Sequence, residues 1–213
     1  MEIRTIDNLV AGVQLEQRAD DKPARIRGHA AIFYDGTTDT EFRLWDDAVE
    51  RIMPPAFDQV LSRPDDVRGL FNHDPNQLLG RTSAGTLSLA IDRRGLSFSV
   101  DPGATTVARD VTEHVRRGDV QGASFSFIAT DERWEKQDGI EVRELHGVQV
   151  FDVGPVTFPA YQATDVQARA IARASRDAWQ AGGAGGAGFD PAYINRRNLA
   201  RLRVLAIDAD RSL

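Results

Sequence analysis

The sequence predicts an α+β fold built on a β-barrel or a strongly curved sheet. Many short segments alternate apolar and polar residues, which is the period of a strand with one buried face. Only one or two segments with helical spacing interrupt these strands before the C-terminal part of the chain. Many short strands with few helices are typical of this fold class.

The predicted strands follow from alternation or from short apolar runs bounded by turn residues. The loop Arg93-Arg94-Gly95 offers a glycine for a positive φ, so the segments on either side of it form the clearest hairpin. The polar segment 131–139 predicts a surface loop. The predicted strands cover residues 26–34, the first part of 41–52, 67–73, 78–82, 86–92, 96–100, 121–130, 141–146 and 148–153.

Three segments before the glycine-rich stretch carry helix signals. Two prolines just before Ala56 predict a short helix over 56–61, because proline is favourable in a first turn. A threonine cap, valines four residues apart and a terminating Gly118 predict a helix over 105–117. The composition of residues 164–180 predicts a third helix.

The composition divides the chain into three parts. Residues 1–178 form the predicted domain, and residues 179–188 form a linker rich in glycine and alanine. Residues 189–213 form a basic tail, in which 195–206 has the spacing of an amphipathic helix.

Charge and composition exclude several functional classes. Lys and Arg number 26 against 32 Asp and Glu, for a formal net charge of −6, which argues against a general nucleic-acid binder. The absence of cysteine excludes disulfides, thiolate zinc sites and cysteine nucleophiles. No apolar run approaches a membrane span and no signal peptide is evident, so we expect a protein of the reducing cytoplasm.

The strand over 121–130 carries the first candidate catalytic groups. Alternation places Ser124 and Ser126 on one face and Phe125 and Phe127 on the other, where the rings would anchor the core. Two hydroxyls on one face fit either a strand half open to water or a serine nucleophile on a rigid element. The choice depends on a base elsewhere in the chain.

His73 is the best placed of four histidines to be that base. It lies at the end of an apolar strand, between Asn72 and Asp74 and before a proline turn, where a side chain is both positioned and accessible. His29 and His114 are interpreted as structural residues of a strand and a helix. The four histidines show no paired spacing such as His-Glu-x-x-His, so the sequence is weak evidence for a metal hydrolase.

Five motifs occur in an order that resembles the prohead (capsid maturation) serine protease family of tailed phages, over residues 28–166. They are Asn72-His-Asp74, Leu79-Gly-Arg-Thr82, Gly95-Leu96, Gly118-Asp-Val-Gln-Gly-Ala-Ser-Phe-Ser-Phe127 and Phe151-Asp-Val-Gly-Pro-Val-Thr-Phe-Pro-Ala-Tyr161.

The resemblance implies a mostly antiparallel β-barrel surrounded by a few helices, similar to the herpesvirus assemblin proteases. It implies a serine endopeptidase with His73 as base and Ser124 as nucleophile. Asp152 is the expected acid, with Glu144 as the alternative. The family implies no cofactor and no metal.

The chain departs from the family pattern at two positions. Ser126 stands where members typically have glycine, which leaves it as an alternative nucleophile. Gly154 stands where serine is expected. No oxyanion hole can be identified from the sequence, although backbone N–H groups near Gly154 or Gly122 are candidates. Arg81 is interpreted as orienting Asp74, binding substrate or forming a surface ion pair.

The function implied is cleavage of scaffold and of the N-terminal part of the major capsid protein, inside the assembling procapsid in the host cytoplasm. Self-cleavage near the linker and self-association are further expectations, and neither nucleic acid nor a membrane is an expected partner. The alternative is a non-catalytic capsid-assembly or scaffold module on the same fold.

Overall fold

The computed structural model describes residues 1–6, 11–19, 23–62, 66–158 and 162–182. It contains eleven strands and three α-helices within these ranges. The strands are β1 (Glu2–Ile6), β2 (Gln14–Glu16), β3 (Arg25–Ile32), β4 (Phe42–Trp45), β5 (Ala48–Ile52), β6 (Arg68–Leu70), β7 (Leu78–Arg81), β8 (Leu87–Ile91), β9 (Gly95–Val100), β10 (Gly122–Gln137) and β11 (Ile140–Val156). The helices are α1 (Asp58–Ser62), α2 (Thr106–Arg117) and α3 (Gln162–Gly182).

The long hairpin of β10 and β11 organises the larger, seven-stranded sheet, whose main path is β1-β10-β11-β5-β4. On the edge opposite β10, strand β11 pairs with two parallel strands, one after the other along its length. The first half of β11 pairs with β5, and the second half pairs with β6, which in turn pairs antiparallel with β7. This arrangement brings the segment that follows β6 next to the open end of the hairpin, where β10 begins and β11 ends.

The smaller sheet has four antiparallel strands in the order β2-β3-β9-β8. The predicted hairpin over 86–100 is confirmed as β8 and β9. A single core cluster draws side chains from both sheets, so the two sheets share one hydrophobic interior. Within this cluster the ring centroid of Phe125 lies 4.8 Å from that of Phe127 and 5.8 Å from that of Phe57.

Local signals locate helix α2 correctly. The amide of Ala108 donates to the Thr105 hydroxyl at 3.1 Å, and Gly118 ends the helix at φ 80°. Val111 and Val115 are buried on its inner face, whereas the His114 side chain is 45% exposed beside Asp119. His114 is therefore a surface residue and not part of the apolar stripe.

The α+β class is confirmed, but closure into a barrel is not. A barrel requires a continuous hydrogen-bonded ladder around the ring of strands. Among the described strands the ladders form two separate sheets, with β1 and β4 at the ends of the main path of one and β2 and β8 at the edges of the other. The described architecture is thus two sheets over a common core, with helices at the periphery.

The predicted loop over 131–139 is wrong. Strand β10 continues to Gln137 and turns through Asp138 and Gly139, both with positive φ, into β11. The segment is polar because one face of this outer part of the hairpin is exposed, whereas Trp134 on the other face is buried. The segments 141–146 and 148–153 are likewise parts of one strand, β11.

Helix α3 covers the outer part of the hairpin and ends at Gly182. The indole N–H of Trp134 donates to the Ser175 hydroxyl at 2.8 Å, and the Trp134 ring stacks against Trp179. The tail over 189–213 and the linker beyond Gly182 lie outside the described residues, so the domain division remains a prediction. None of the helices in the described ranges is long and apolar enough to cross a membrane.

Candidate active site

Both serines of the central strand are completely buried on one face of β10. The phenylalanines between and after them fill the core from the opposite face, as the alternation predicted. The interpretation of this strand as half open to water is therefore wrong. A buried hydroxyl needs a hydrogen-bond partner, so the groups around Ser124 and Ser126 identify the chemistry of the site.

The register of the hairpin places an acid opposite the serines. Ser124 pairs with Gly154 and Ser126 pairs with Asp152, so the Asp152 side chain lies on the serine face. A β-bulge follows, because Phe127 pairs with Val150 and Phe151 is the extra residue. Because of the extra residue, Val150 and Val153, which lie on either side of Asp152 in the sequence, both face the core.

A tight turn after β6 carries His73. The amide of Asp74 donates to the Phe71 carbonyl at 3.1 Å, and the two central residues, Asn72 and His73, have φ of 55° and 59°. Asparagine and histidine are among the non-glycine residues most often found in this left-handed region. Backbone strain of this kind is found at functional sites, where the surrounding structure holds it in place.

Asn72 ties this turn to the end of β11 by three hydrogen bonds. Its side-chain amide donates to the Thr157 hydroxyl at 3.0 Å, and its side-chain oxygen accepts from the Thr157 amide at 2.8 Å. Its own backbone amide donates to the Pro155 carbonyl at 3.2 Å. The sequence placed Asn72 beside the histidine without assigning it a role, and the structure shows that it fixes the turn.

Gly154 explains how the histidine turn comes so close to the hairpin. A Cβ atom at this position would lie 2.0 Å from the carbonyl oxygen of Leu70. The absence of a side chain lets the end of β6 pass directly over β11, across from Ser124. The departure from the family's expected serine at this position thus has a packing reason.

His73 lies between Asp152 and Ser124 and contacts both. Its Nδ1 atom is 2.5 Å from Oδ1 of Asp152, and its Nε2 atom is 2.6 Å from Oγ of Ser124. A neutral imidazole protonated at Nδ1 donates to the carboxylate and offers its Nε2 lone pair to the hydroxyl. The side chains of Asp152 and His73 are 8% and 15% exposed, which limits competition from water.

This arrangement has the parts of an activated serine nucleophile: a hydroxyl, a base within hydrogen-bond reach and a third group that orients the base. Ser126 contacts the opposite oxygen of Asp152, since its hydroxyl donates to Oδ2. Within this geometry Ser124 is the serine that faces His73, and Ser126 supports the carboxylate.

The alternative acid, Glu144, lies elsewhere. Its Oε2 atom is 2.9 Å from Nε2 of His146, in a separate pair. His29 likewise pairs with Asp92 at 2.8 Å on the outer face of the smaller sheet. Although each histidine has an acidic neighbour, His73 is the one for which the described contacts add a serine hydroxyl.

Arg81 does not contact Asp74. Both its Nε and Nη2 atoms bind the carboxylate of Asp66, which lowers the pKa of that carboxyl and raises the pKa of the guanidinium. Asp74 instead accepts from the backbone amide of Asn76 at 2.8 Å, which lowers its pKa and stabilises the turn. Of the three interpretations of Arg81, the ion pair describes its contacts.

Strand β1 is the part of the site that the sequence reasoning missed. The Arg4 carbonyl oxygen lies 2.8 Å from Ser124 Oγ and is a second acceptor, beside His73 Nε2, for the single proton of that hydroxyl. The Thr5 hydroxyl donates to Ser124 Oγ at 3.2 Å. The alternation Glu-Ile-Arg-Thr-Ile over residues 2–6 is a strand signal. It is easily misread because the charged residues of β1, Glu2 and Arg4, face inward.

A buried network of charges holds β1 against the hairpin. Nε of Arg4 binds Glu50 at 2.5 Å, and Nη1 of Arg143 binds Glu2 at 2.6 Å and Glu50 at 2.7 Å. Glu132 also binds Arg143. Burial by itself would raise the pKa of Glu2, but the guanidinium groups of Arg143 and Arg4 outweigh burial and lower it.

No group of three or more His, Cys, Asp or Glu side chains suited to a metal ion occurs in the described ranges. The contacts among Ser124, His73 and Asp152 are by themselves suited to acyl transfer by a hydroxyl.

Of three comparisons with known proteins, the one with protein-family models found a match. The family model described as Caudovirus prohead serine protease matches residues 13–177, well over half of the chain. The matched range includes the histidine turn and the complete β10–β11 hairpin, whereas β1 precedes it. Searches of curated proteins and of solved structures gave no significant match.

Proposed function

The chain belongs to the Caudovirus prohead serine protease family, and from this premise we propose that it is a capsid maturation endopeptidase that uses Ser124, His73 and Asp152. The observation that carries the proposal is the pair of contacts made by His73, 2.6 Å to the Ser124 hydroxyl and 2.5 Å to the Asp152 carboxylate. These contacts support a general-base mechanism at one serine.

In the proposed reaction, His73 Nε2 takes the proton of the Ser124 hydroxyl as Oγ bonds to the carbonyl carbon of the peptide. Asp152 holds the Nδ1 proton and stabilises the imidazolium. The imidazolium then gives its proton to the leaving amine as the C–N bond breaks. A water molecule, deprotonated by the same imidazole, releases the acyl group and restores the serine.

Ser126 acts in this proposal as a positioning residue. Its hydroxyl donates to the oxygen of Asp152 that His73 does not use, so both carboxylate oxygens have a partner. A hydrogen bond to a charged group contributes about 1.5–3 kcal/mol. Loss of this bond should loosen the carboxylate without removing the nucleophile.

The proposed substrates are scaffold segments, the N-terminal part of the major capsid protein and the protease itself, all inside the procapsid. The glycine- and alanine-rich linker predicted over 179–188 would let the basic tail dock to the scaffold or shell while the domain acts nearby. Such a tether raises the effective concentration of the domain at its substrate.

The test compares three purified full-length proteins: wild type, Ser124→Ala and Ser126→Ala. Each is incubated with a fluorophosphonate probe, which labels activated serines, and with capsid protein that carries its scaffold segment. We expect no labelling and no processing by Ser124→Ala, and roughly tenfold slower processing by Ser126→Ala, from about 1.4 kcal/mol of lost orientation.

Two further variants sharpen this test. Asp152→Asn should abolish most of the activity, whereas Glu144→Gln should retain it, because Glu144 contacts His146 and not His73. Processing that continues in Ser124→Ala but stops in Ser126→Ala would reverse the assignment of the nucleophile. A folded wild-type protein that neither labels nor cleaves would favour the non-catalytic assembly module.

A further inference from the structure

The nucleophile has a second hydroxyl beside it, on strand β1. Thr5 pairs directly with Ser124 across the β1–β10 ladder, and its hydroxyl donates to Ser124 Oγ at 3.2 Å. Two residues earlier on the same face, Ile3 pairs with Ser126. Strand β1 therefore presents a hydrogen-bond donor only to the serine that contacts His73, and an apolar side chain to the other.

The exposure of these residues indicates the side from which a substrate reaches the site. Ser124 has no exposed surface, whereas Thr5 is half-buried. His73, the proposed base, is also partly exposed beside the nucleophile. A peptide carbonyl that arrives at Ser124 between these two groups would meet the Thr5 hydroxyl as well as Oγ.

The tetrahedral intermediate needs donors for its negative oxygen. That oxygen and Oγ are bonded to the same carbon, so they are closer to each other than two hydrogen-bonded oxygens are. A hydroxyl already within hydrogen-bond reach of Oγ can thus turn about its C–O bond and donate to the new oxyanion. Effective donors of this kind lie about 2.7–3.1 Å from the oxyanion.

Strand β1 is held firmly enough for such a role. Arg4, the residue before Thr5, binds Glu50 through Nε at 2.5 Å and through Nη2 at 2.7 Å, and all three charged side chains of the Arg4–Glu50–Arg143 group are buried. A donor contributes most when its supporting element is fixed before the reaction. The charge network supplies that fixation from the opposite face of the sheet.

We propose that the Thr5 hydroxyl is an oxyanion-hole donor of this site, a catalytic role carried by a residue that precedes the family-matched range. The inference rests on the proposed serine mechanism. As Oγ bonds to the carbonyl carbon and His73 takes the serine proton, the carbonyl π electrons move to its oxygen. Thr5 then shifts its hydrogen bond from Oγ to that oxygen and keeps its own proton throughout.

The experiment uses full-length wild type, Thr5→Val and Thr5→Ser, with processing rates measured over a range of capsid-protein concentrations. Valine has the shape of threonine and favours strands, so β1 should stay in place, and thermal melting checks this. We expect Thr5→Val to lower kcat by about 10²–10³-fold with KM changed less than about twofold. Thr5→Ser keeps a hydroxyl and should restore most of the rate.

The outcomes separate this inference from the proposed function. A folded Thr5→Val that cleaves at the wild-type rate, or a Thr5→Ser as slow as Thr5→Val, overturns the donor role while the protease proposal stands. A wild type that does not cleave overturns both. The pH profile of the residual Thr5→Val activity should keep its wild-type shape, because His73 remains the base; a shifted profile would contradict the assignment.

Discussion

Alanine at position 154 should disable the site by pushing the histidine turn away from the hairpin. The added Cβ would lie 2.0 Å from the carbonyl oxygen of Leu70 and 3.0 Å from its carbonyl carbon. Ordinary contact begins at 3.4 Å, so the two segments lack about 1.4 Å of room. Since the opposing atoms belong to the backbone, no change of side-chain rotamer can relieve the clash.

The displacement reaches the base directly, because Leu70 leads into the turn that carries His73. A shift of this size would lengthen the 2.6 Å contact between His73 and Ser124 to about 4 Å, beyond hydrogen-bonding range. A misplacement of about 1 Å in a catalytic group can cost about 10²-fold in rate. Overpacking itself costs about 1–3 kcal/mol of stability, which a folded domain of this size can tolerate.

Gly69→Ala is the matched control, since it adds the same methyl group one residue before Leu70. Its Cβ would meet a methyl of Val100 at 3.3 Å, and a side chain can yield by a few tenths of an ångström. We expect processing to fall at least about 100-fold in Gly154→Ala and only slightly in Gly69→Ala, with both proteins folded by circular dichroism. A folded Gly154→Ala that cleaves within a few-fold of wild type would refute the reasoning.

Three further predictions concern the turn, the buried charges and the base. Asn72→Gly should lower the free energy of unfolding in urea because two side-chain hydrogen bonds to Thr157 are lost, and Asn72→Ala should lower it by about 1 kcal/mol more, because alanine is disfavoured at φ 55°. Glu2→Gln should cost about 3–5 kcal/mol at neutral pH by unbalancing the buried network. The pKa of Glu2 is lowered from its ordinary value of 4.5, so the stabilisation by this carboxylate is present above pH 4.5 and is lost as pH falls through the lowered pKa. The free energies of unfolding of wild type and Glu2→Gln in urea should therefore converge on acidification. A difference that stays constant with pH would contradict this. Processing should slow on acidification because a protonated His73 cannot accept the serine proton, and a flat pH–rate profile would exclude it as the base.

Elements with local signals could be predicted from the sequence. The cap, the valine spacing and the terminating glycine of α2 lie within a single segment, and the hairpin of β8 and β9 depends on a short loop with a glycine. The alternation in β10 likewise assigned Phe125 to the core and Ser124 to the other face. Such features depend on residues close together in the chain, which is why they can be recognised without a fold.

Strand β1 shows why other elements could not be predicted. Glu2 and Arg4 would be assigned to a solvent face by polarity, yet they are buried because their partners, Glu50 and Arg143, come from distant strands. The outer part of β10 is predicted as a loop for the same reason, because its polar residues conceal partners that are distant in the sequence. Its polar residues are stabilised as a strand by β11 and by the packing of α3 on Trp134.

The amino-acid order alone determined the strand that carries two hydroxyls, the histidine at a strand end and the family they resemble, because each of these is a pattern in consecutive residues. Only the tertiary structure decided which acid meets His73, which serine it faces and what surrounds that serine. Asp152 and Glu144 lie on the same strand, and Ser124 and Ser126 point to the same face, so sequence position cannot separate them. These residues are distinguished because the backbone at Leu70 passes closely over Gly154, which brings His73 to Ser124 and Asp152. Strand β1, five residues long and held in place by buried charges, then completes the surroundings of Ser124.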